Sequence, residues 1–108
     1  MNTTTFQKWV EEFYDGRGWS HYDPFIRVGF LMEEVGEVAR VVRAIEIGRD
    51  RPDEKRMSED VLKEELTEEL GDVLANLIIL AEKYDIDLEE IMNHHVQKLT
   101  KRFTEEQV

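Results

Sequence analysis

At 108 residues with 41% hydrophobic content, the chain is expected to form one small domain over residues 1–108, with a modest core and a large surface relative to its volume. A net charge of −11 and an isoelectric point near 4.7 exclude nucleic acid and anionic membrane as partners, since both are polyanions, but not a nucleotide whose phosphates a cation carries. The absence of cysteine excludes a disulfide framework and thiol catalysis, residues 1–5 are too polar for a signal peptide, and the apolar run 77–81 is too short to span a bilayer, so a cytoplasmic protein is expected.

In chain order, the first helix is expected to begin at the threonines, with Thr4 or Thr5 as cap. It carries Phe6, Trp9, Val10 and Phe13 on one face before Asp15 and Gly16 end it. The connection Arg17-Gly18-Trp19-Ser20-His21-Tyr22 is unusually rich in aromatic residues. Asp23 and Pro24 form a cap and first-turn pair, and the second helix runs from Pro24 to about Gly48, which supplies the stop. Its apolar spacing places Val28, Leu31, Met32, Val35, Val38, Ala39, Val42 and Ile45 on a core face. Residues 48–57, with Pro52 and seven charges, read as a solvated hinge.

Ser58, with Glu59 and Asp60 behind it, opens a third helix that ends near residues 84–85. Leu62, Leu66, Val73, Leu77 and Leu80 mark its core face. Asp87 caps a fourth helix that runs to about Phe103 with Ile91, Val96 and Leu99 inward, and residues 105–108 are expected to fray. Four helices with short connections predict an all-α four-helix bundle in which the two long helices pack antiparallel. The second helix also carries Phe25, Ile26, Phe30 and Val41 outside its main stripe, more apolar surface than one small bundle buries, so an oligomer is expected.

Two stretches repeat one another: Glu33-Glu34-Val35-Gly36-Glu37-Val38 and Glu68-Glu69-Leu70-Gly71-Asp72-Val73. Residues three apart share a helix face, so Glu34 pairs with Glu37 and Glu69 with Asp72. On the third helix Glu65, Glu69, Asp72 and Asn76 form a polar stripe with apolar residues on both flanks, which a solvated stripe would not need. Converging, partly buried carboxylates need protons, basic partners or a metal. Arg40, Arg43 and Lys63 are the nearest bases in sequence and lie off the stripe, which favours a hard divalent cation, Mg²⁺ or Mn²⁺, over zinc. Gly36 and Gly71 are expected to let backbones approach beside the metal. Against this stands the ordinary reading of acidic runs as charged helix surface, which the repetition makes less economical.

The spacing Glu33-Glu34-x-x-Glu37 followed by Glu69-x-x-Asp72 resembles the signature of the MazG-like all-α nucleoside triphosphate pyrophosphohydrolases, a superfamily that includes dUTPase-type, dCTP and phosphoribosyl-ATP enzymes. The resemblance runs from about Phe6 to Phe103 and extends to Gly18-Trp19, Asp23-Pro24 and Lys98-x-x-Lys101-Arg102. It implies Mg²⁺ held by Glu34, Glu37, Glu69 and Asp72, and a water oriented or deprotonated by Glu33. Lys98, Lys101 and Arg102 would lie at the pyrophosphate end, and Trp19 and His21 would contact the base. Asn76 is placed to bond a ligand or to bond within the core. A homodimer or homotetramer is implied as well. The adjacent His94 and His95 point about 100° apart and read as surface or groove residues.

Three function classes stay open: hydrolysis of a (deoxy)nucleoside triphosphate to monophosphate and pyrophosphate, the same fold acting on phosphoribosyl-ATP or a nucleoside diphosphate, and a non-enzymatic helical oligomerisation module with structural metal. The four carboxylates with aromatic and basic flanks favour the first.

Overall fold

The computed structural model describes residues 1–48, 52–53 and 57–106. They form four α-helices, α1 Thr3–Gly16, α2 Pro24–Ile47, α3 Glu59–Glu82 and α4 Leu88–Glu106, with one 3₁₀ turn at Trp19–His21 and no strand among the described residues. The all-α expectation is met. No described helix is long and apolar enough to cross a membrane.

Local chemistry sets the boundaries. Asn2, not a threonine, caps α1: its Oδ1 accepts from the Thr5 amide at 2.8 Å, so the helix starts earlier than the threonines suggest. Asp23 accepts from the Ile26 amide at 3.0 Å with Pro24 behind it, and Gly48, at a φ of 90°, stops α2. Ser58 Oγ accepts from Val61 N, and Asp87 Oδ1 from Glu90 N, as the caps of α3 and α4. Asp85 adopts the left-handed conformation (φ 57°). The Ile86 amide donates to the Ala81 carbonyl and the Asp85 amide to that of Glu82, a Schellman closure of α3. Helix α4 continues through Glu106 where fraying from 105 was expected; residues 107–108, and most of the expected hinge at 48–57, lie outside the described residues.

The chain divides into two compact units, Asp23–Leu77 and a second made of Met1–Tyr22 with Ile78–Val108. Within the first, α2 and α3 run antiparallel. Arg27 Nη1 donates to Asn76 Oδ1 at 2.8 Å and Arg40 Nη2 to Glu65 Oε1 at 2.8 Å, so partner numbers fall as α2 numbers rise. The contact stripe of α2 is Arg27, Leu31, Glu34, Val38, Val41 and Ile45. Leu31, Val38 and Ile45 match expectation, but Val28, Met32, Val35, Ala39 and Val42 are exposed, Met32 by 56%, and Val41, expected outside the main stripe, is fully buried. Apolar spacing alone misplaced the face because two polar residues belong to it: Arg27 and Glu34 lie within about 20° of one another around the helix. On α3, Leu62 is buried and Leu66, Val73 and Leu80 half-buried as expected, while Leu77 is exposed.

In the second unit α1 packs with the 3₁₀ turn and α4, around buried Val10, Ile78 and Ile79. Gln7 Oε1 accepts from the Leu88 amide at 2.7 Å. Of the residues expected inward on α4, Leu99 is half-buried, whereas Ile91 and Val96 are exposed, Val96 by 62%. Leu88 and Leu99 lie about 20° apart around the helix and define its covered line, and Ile91 and Val96 fall on opposite sides of it.

A Cβ built at Gly36 or Gly71 meets no atom within 4 Å, so the expected close backbone approach at these glycines is absent among the described residues. Each glycine therefore costs helix stability without a packing return from those residues. Gly36→Ala and Gly71→Ala are each expected to raise stability in urea unfolding by about 1 kcal/mol. A drop in either variant would mean that something outside the chain's own fold approaches that backbone.

Candidate metal centre

Glu34 stands at the middle of the α2 contact stripe, and Glu69 occupies the corresponding place on α3, so antiparallel packing turns the two acidic repeats toward each other. Glu34, Glu69 and Asp72 each bring a carboxylate oxygen into one cluster, with these oxygens all within 4.8 Å of one another. Glu34 and Glu69 are half-buried and Asp72 is exposed, which leaves the cluster open on one side.

The electrostatics follow from that placement. Burial, then Asp72, Glu69, Glu37 and Glu33, push the Glu34 carboxyl above its ordinary value. Glu69 is raised for the same reasons, by burial first and then by Asp72 and Glu37, with Arg40 pulling the other way. Three hard oxygen donors from two helices, whose mutual repulsion Arg40 offsets only in part at Glu69, fit a divalent cation of the Mg²⁺ or Mn²⁺ type.

Glu37 sits beside this cluster and is engaged elsewhere. Arg40 Nε donates to its Oε2 at 2.9 Å while Arg40 Nη2 donates to Glu65, so one guanidinium joins both helices. The expectation that Arg40 lies off the acidic stripe fails, because a long side chain carries its charge to a place that its Cα does not mark. Both carboxylates hold Arg40 firmly protonated. Lys63 does stay away, paired with Glu59 at 3.4 Å. Glu33 is exposed one position before the cluster.

Asn76 is committed within the helix pair. Its Oδ1 accepts from Arg27, and its Nδ2 donates to the Asp72 carbonyl at 2.8 Å. Arg27 is 3% exposed and Asn76 5%, so this is a buried polar link ending on the backbone of a cluster residue. Sequence reasoning missed Arg27, although it stands seven residues before Glu34 and hence on the same helix face.

The remaining candidates belong to the other unit. Trp19 is 42% exposed, with its ring edge-to-face with Phe13 at 6.0 Å and Tyr14 at 5.4 Å. His21 Nε2 lies 3.7 Å from Asp15 Oδ1. Lys98 lines an open groove with Ile86, Glu90, Ile91, His94 and His95, and Lys101 and Arg102 are exposed on α4.

The sequence model of the MazG nucleotide pyrophosphohydrolase domain matches residues 27–105, taking in residues of both units. YvdC of Bacillus subtilis (strain 168), an uncharacterized protein, is 60% identical over 103 residues, which cover 95% of this chain and 97% of YvdC. The uncharacterized YpjD of the same organism is 33% identical over 95 residues, covering 88% and 77% respectively. The crystal structure of YpjD, provisionally named a pyrophosphatase, superposes with a TM-score of 0.69 at 28% identity, covering 91% of this chain and 94% of that one.

The raised carboxyls carry a pH signature. A raised acid keeps more protons in the folded than in the unfolded state, so its stability contribution is fully present below 4.5 and is lost as pH rises through the folded value. Metal-free protein is therefore expected to lose less stability between pH 5 and pH 7 as Glu34→Gln than as wild type, in paired urea titrations. Saturating Mg²⁺ is expected to narrow the wild-type difference in the same sense, and equal pH slopes for both proteins would contradict the assignment.

Proposed function

The chain belongs to the MazG nucleotide pyrophosphohydrolase family, and from that premise we propose that it hydrolyses a nucleoside or deoxynucleoside triphosphate to the monophosphate and pyrophosphate in the presence of Mg²⁺. The observation that supports this reading is the convergence of Glu34, Glu69 and Asp72 from two antiparallel helices. A triphosphate brings about four negative charges, which an acidic protein accepts only through a cation, as in other phosphoryl-transfer sites.

Glu34, Glu69 and Asp72 would hold the cation, with Glu37 beside them as a further ligand once released from Arg40. A cation held there would supply neutralisation of phosphate oxygens and acidification of water. Glu33, next to the cluster and open to solvent, orients the attacking water or takes its proton. Asn76, tied to Arg27, fixes the turn that presents Asp72. The bond broken lies between the α and β phosphorus atoms, so the pyrophosphate leaves as one piece. Trp19 and His21 meet the base, and Lys98, Lys101 and Arg102 meet the leaving pyrophosphate, as the resemblance implies. Residues 1–108 form a single domain of a cytoplasmic enzyme, and a homodimer or homotetramer covers the exposed apolar residues of α2, Phe25, Met32 and Val35 among them.

With millimolar Mg²⁺ or Mn²⁺, at least one of the eight common NTPs and dNTPs is expected to yield pyrophosphate and a monophosphate, and EDTA to abolish the reaction. Glu34→Gln and Asp72→Asn are each expected to lower kcat by about a hundredfold or more, as removal of a group that stabilises developing charge does. Orthophosphate as the sole phosphate product would sink the reaction class. No turnover of any nucleotide would shift the assignment to a structural metal site.

A further inference from the structure

The loop between α1 and α2 is a single 3₁₀ turn, entered through Gly18 at a φ of 75°. One such turn has too few internal hydrogen bonds to order itself, so its conformation depends on what grips it from outside. Asp15 grips it from α1: its Oδ1 accepts from Ser20 Oγ at 3.2 Å and lies 3.7 Å from His21 Nε2, but these groups are exposed and such contacts are weak. Trp19 also rests edge-to-face on Phe13 and Tyr14 of α1, and a polar bond that reaches the backbone of the turn from a distant part of the chain comes from the turn that closes α3. Lys83 Nζ donates to the Ser20 carbonyl at 2.7 Å in a half-buried, charge-assisted bond that joins positions 63 residues apart. Its neighbour Glu82 is pushed up by burial, then by Glu11 and Asp15, with Lys83 pulling the other way.

The Lys83 bond lands on the residue between Trp19 and His21. We propose that Lys83 is a positioning residue for base recognition: its ammonium, bound to the Ser20 carbonyl, holds Trp19 and His21 in the orientation in which they meet the nucleobase of the substrate. This rests on the reading that those two residues contact the base. Lys83 acts through Trp19 and touches no reacting atom. Its loss removes the bond to the Ser20 carbonyl while the ring contacts of Trp19 with Phe13 and Tyr14 remain, so the expected change is in the orientation of the turn and not in the fold.

The test combines Lys83→Met, Lys83→Arg, Trp19→Ala and the double variant Lys83→Met/Trp19→Ala. Each is assayed with all eight common NTPs and dNTPs and Mg²⁺, alongside amide hydrogen exchange of residues 18–22. Lys83→Met is expected to raise KM about tenfold with kcat nearly unchanged, the size of one hydrogen bond to a charged group, and to speed exchange in the loop. Lys83→Arg restores both. In the Trp19→Ala background Lys83→Met adds nothing further. Unchanged exchange in Lys83→Met, or a KM effect that persists without Trp19, overturns the proposal. A raised KM in Trp19→Ala with wild-type values in Lys83→Met removes the role of Lys83 alone, whereas a wild-type KM in Trp19→Ala removes the base-contact reading beneath it.

Discussion

Mutual repulsion among Glu34, Glu69 and Asp72 is the constraint around which the α2–α3 pair is built. Carboxylates in a half-buried seam push the helices apart unless a proton, a base or a cation intervenes. The pair answers with two cross-helix bonds that bracket the cluster. Arg27 reaches Asn76 on one side, about 10 Å along α2 from Glu34, and Arg40 reaches Glu65 on the other, about 9 Å away. Between these two clasps the seam stays open to a ligand while the helices remain in register. The clasps differ in kind: the Arg27–Asn76 link is buried and fixed, whereas Arg40 is half exposed and shared between two carboxylates.

That difference gives the site a fixed side and an adjustable one. Asp72 is braced through its own carbonyl by Asn76, so the acid at the exposed edge sits on a turn that does not move freely. Glu37 is held back by Arg40, and transferring it to a bound cation costs an exposed ion pair worth at most about 1 kcal/mol. Recruitment of a fourth carboxylate by a cation would therefore cost little, while the first three are already convergent. Pre-placed like charges disfavour the metal-free state, and a cation bound there would relieve that repulsion.

Much of this was legible in the sequence because repetition is a stronger signal than any single acidic motif. Two copies of one pattern on two long helices, with caps at Asp23 and Ser58, led directly to antiparallel helices with facing acids. The core face of α2 was not legible from apolar spacing, since α2 is apolar on more than one side and its true contact line contains a buried arginine and a half-buried glutamate. Val28, Met32, Val35 and Val42 lie off that line and are 41% to 56% exposed. Sequence does not place the Arg40 charge for a different reason, since helix position fixes a Cα while a guanidinium reaches several ångströms further. Hydrophobicity alone points Ile91 and Val96 of α4 inward, although helical geometry puts them on opposite sides of the Leu88–Leu99 line.

If Glu34, Glu69 and Asp72 jointly ligate a divalent cation, diffraction at the manganese absorption edge from crystals grown with Mn²⁺ will show an anomalous peak in the α2–α3 seam about 2 Å from an oxygen of each of the three carboxylates, with Asn76 still bonded to Arg27. A seam without a peak at saturating Mn²⁺, with the three acids paired instead to a basic side chain, would contradict joint ligation.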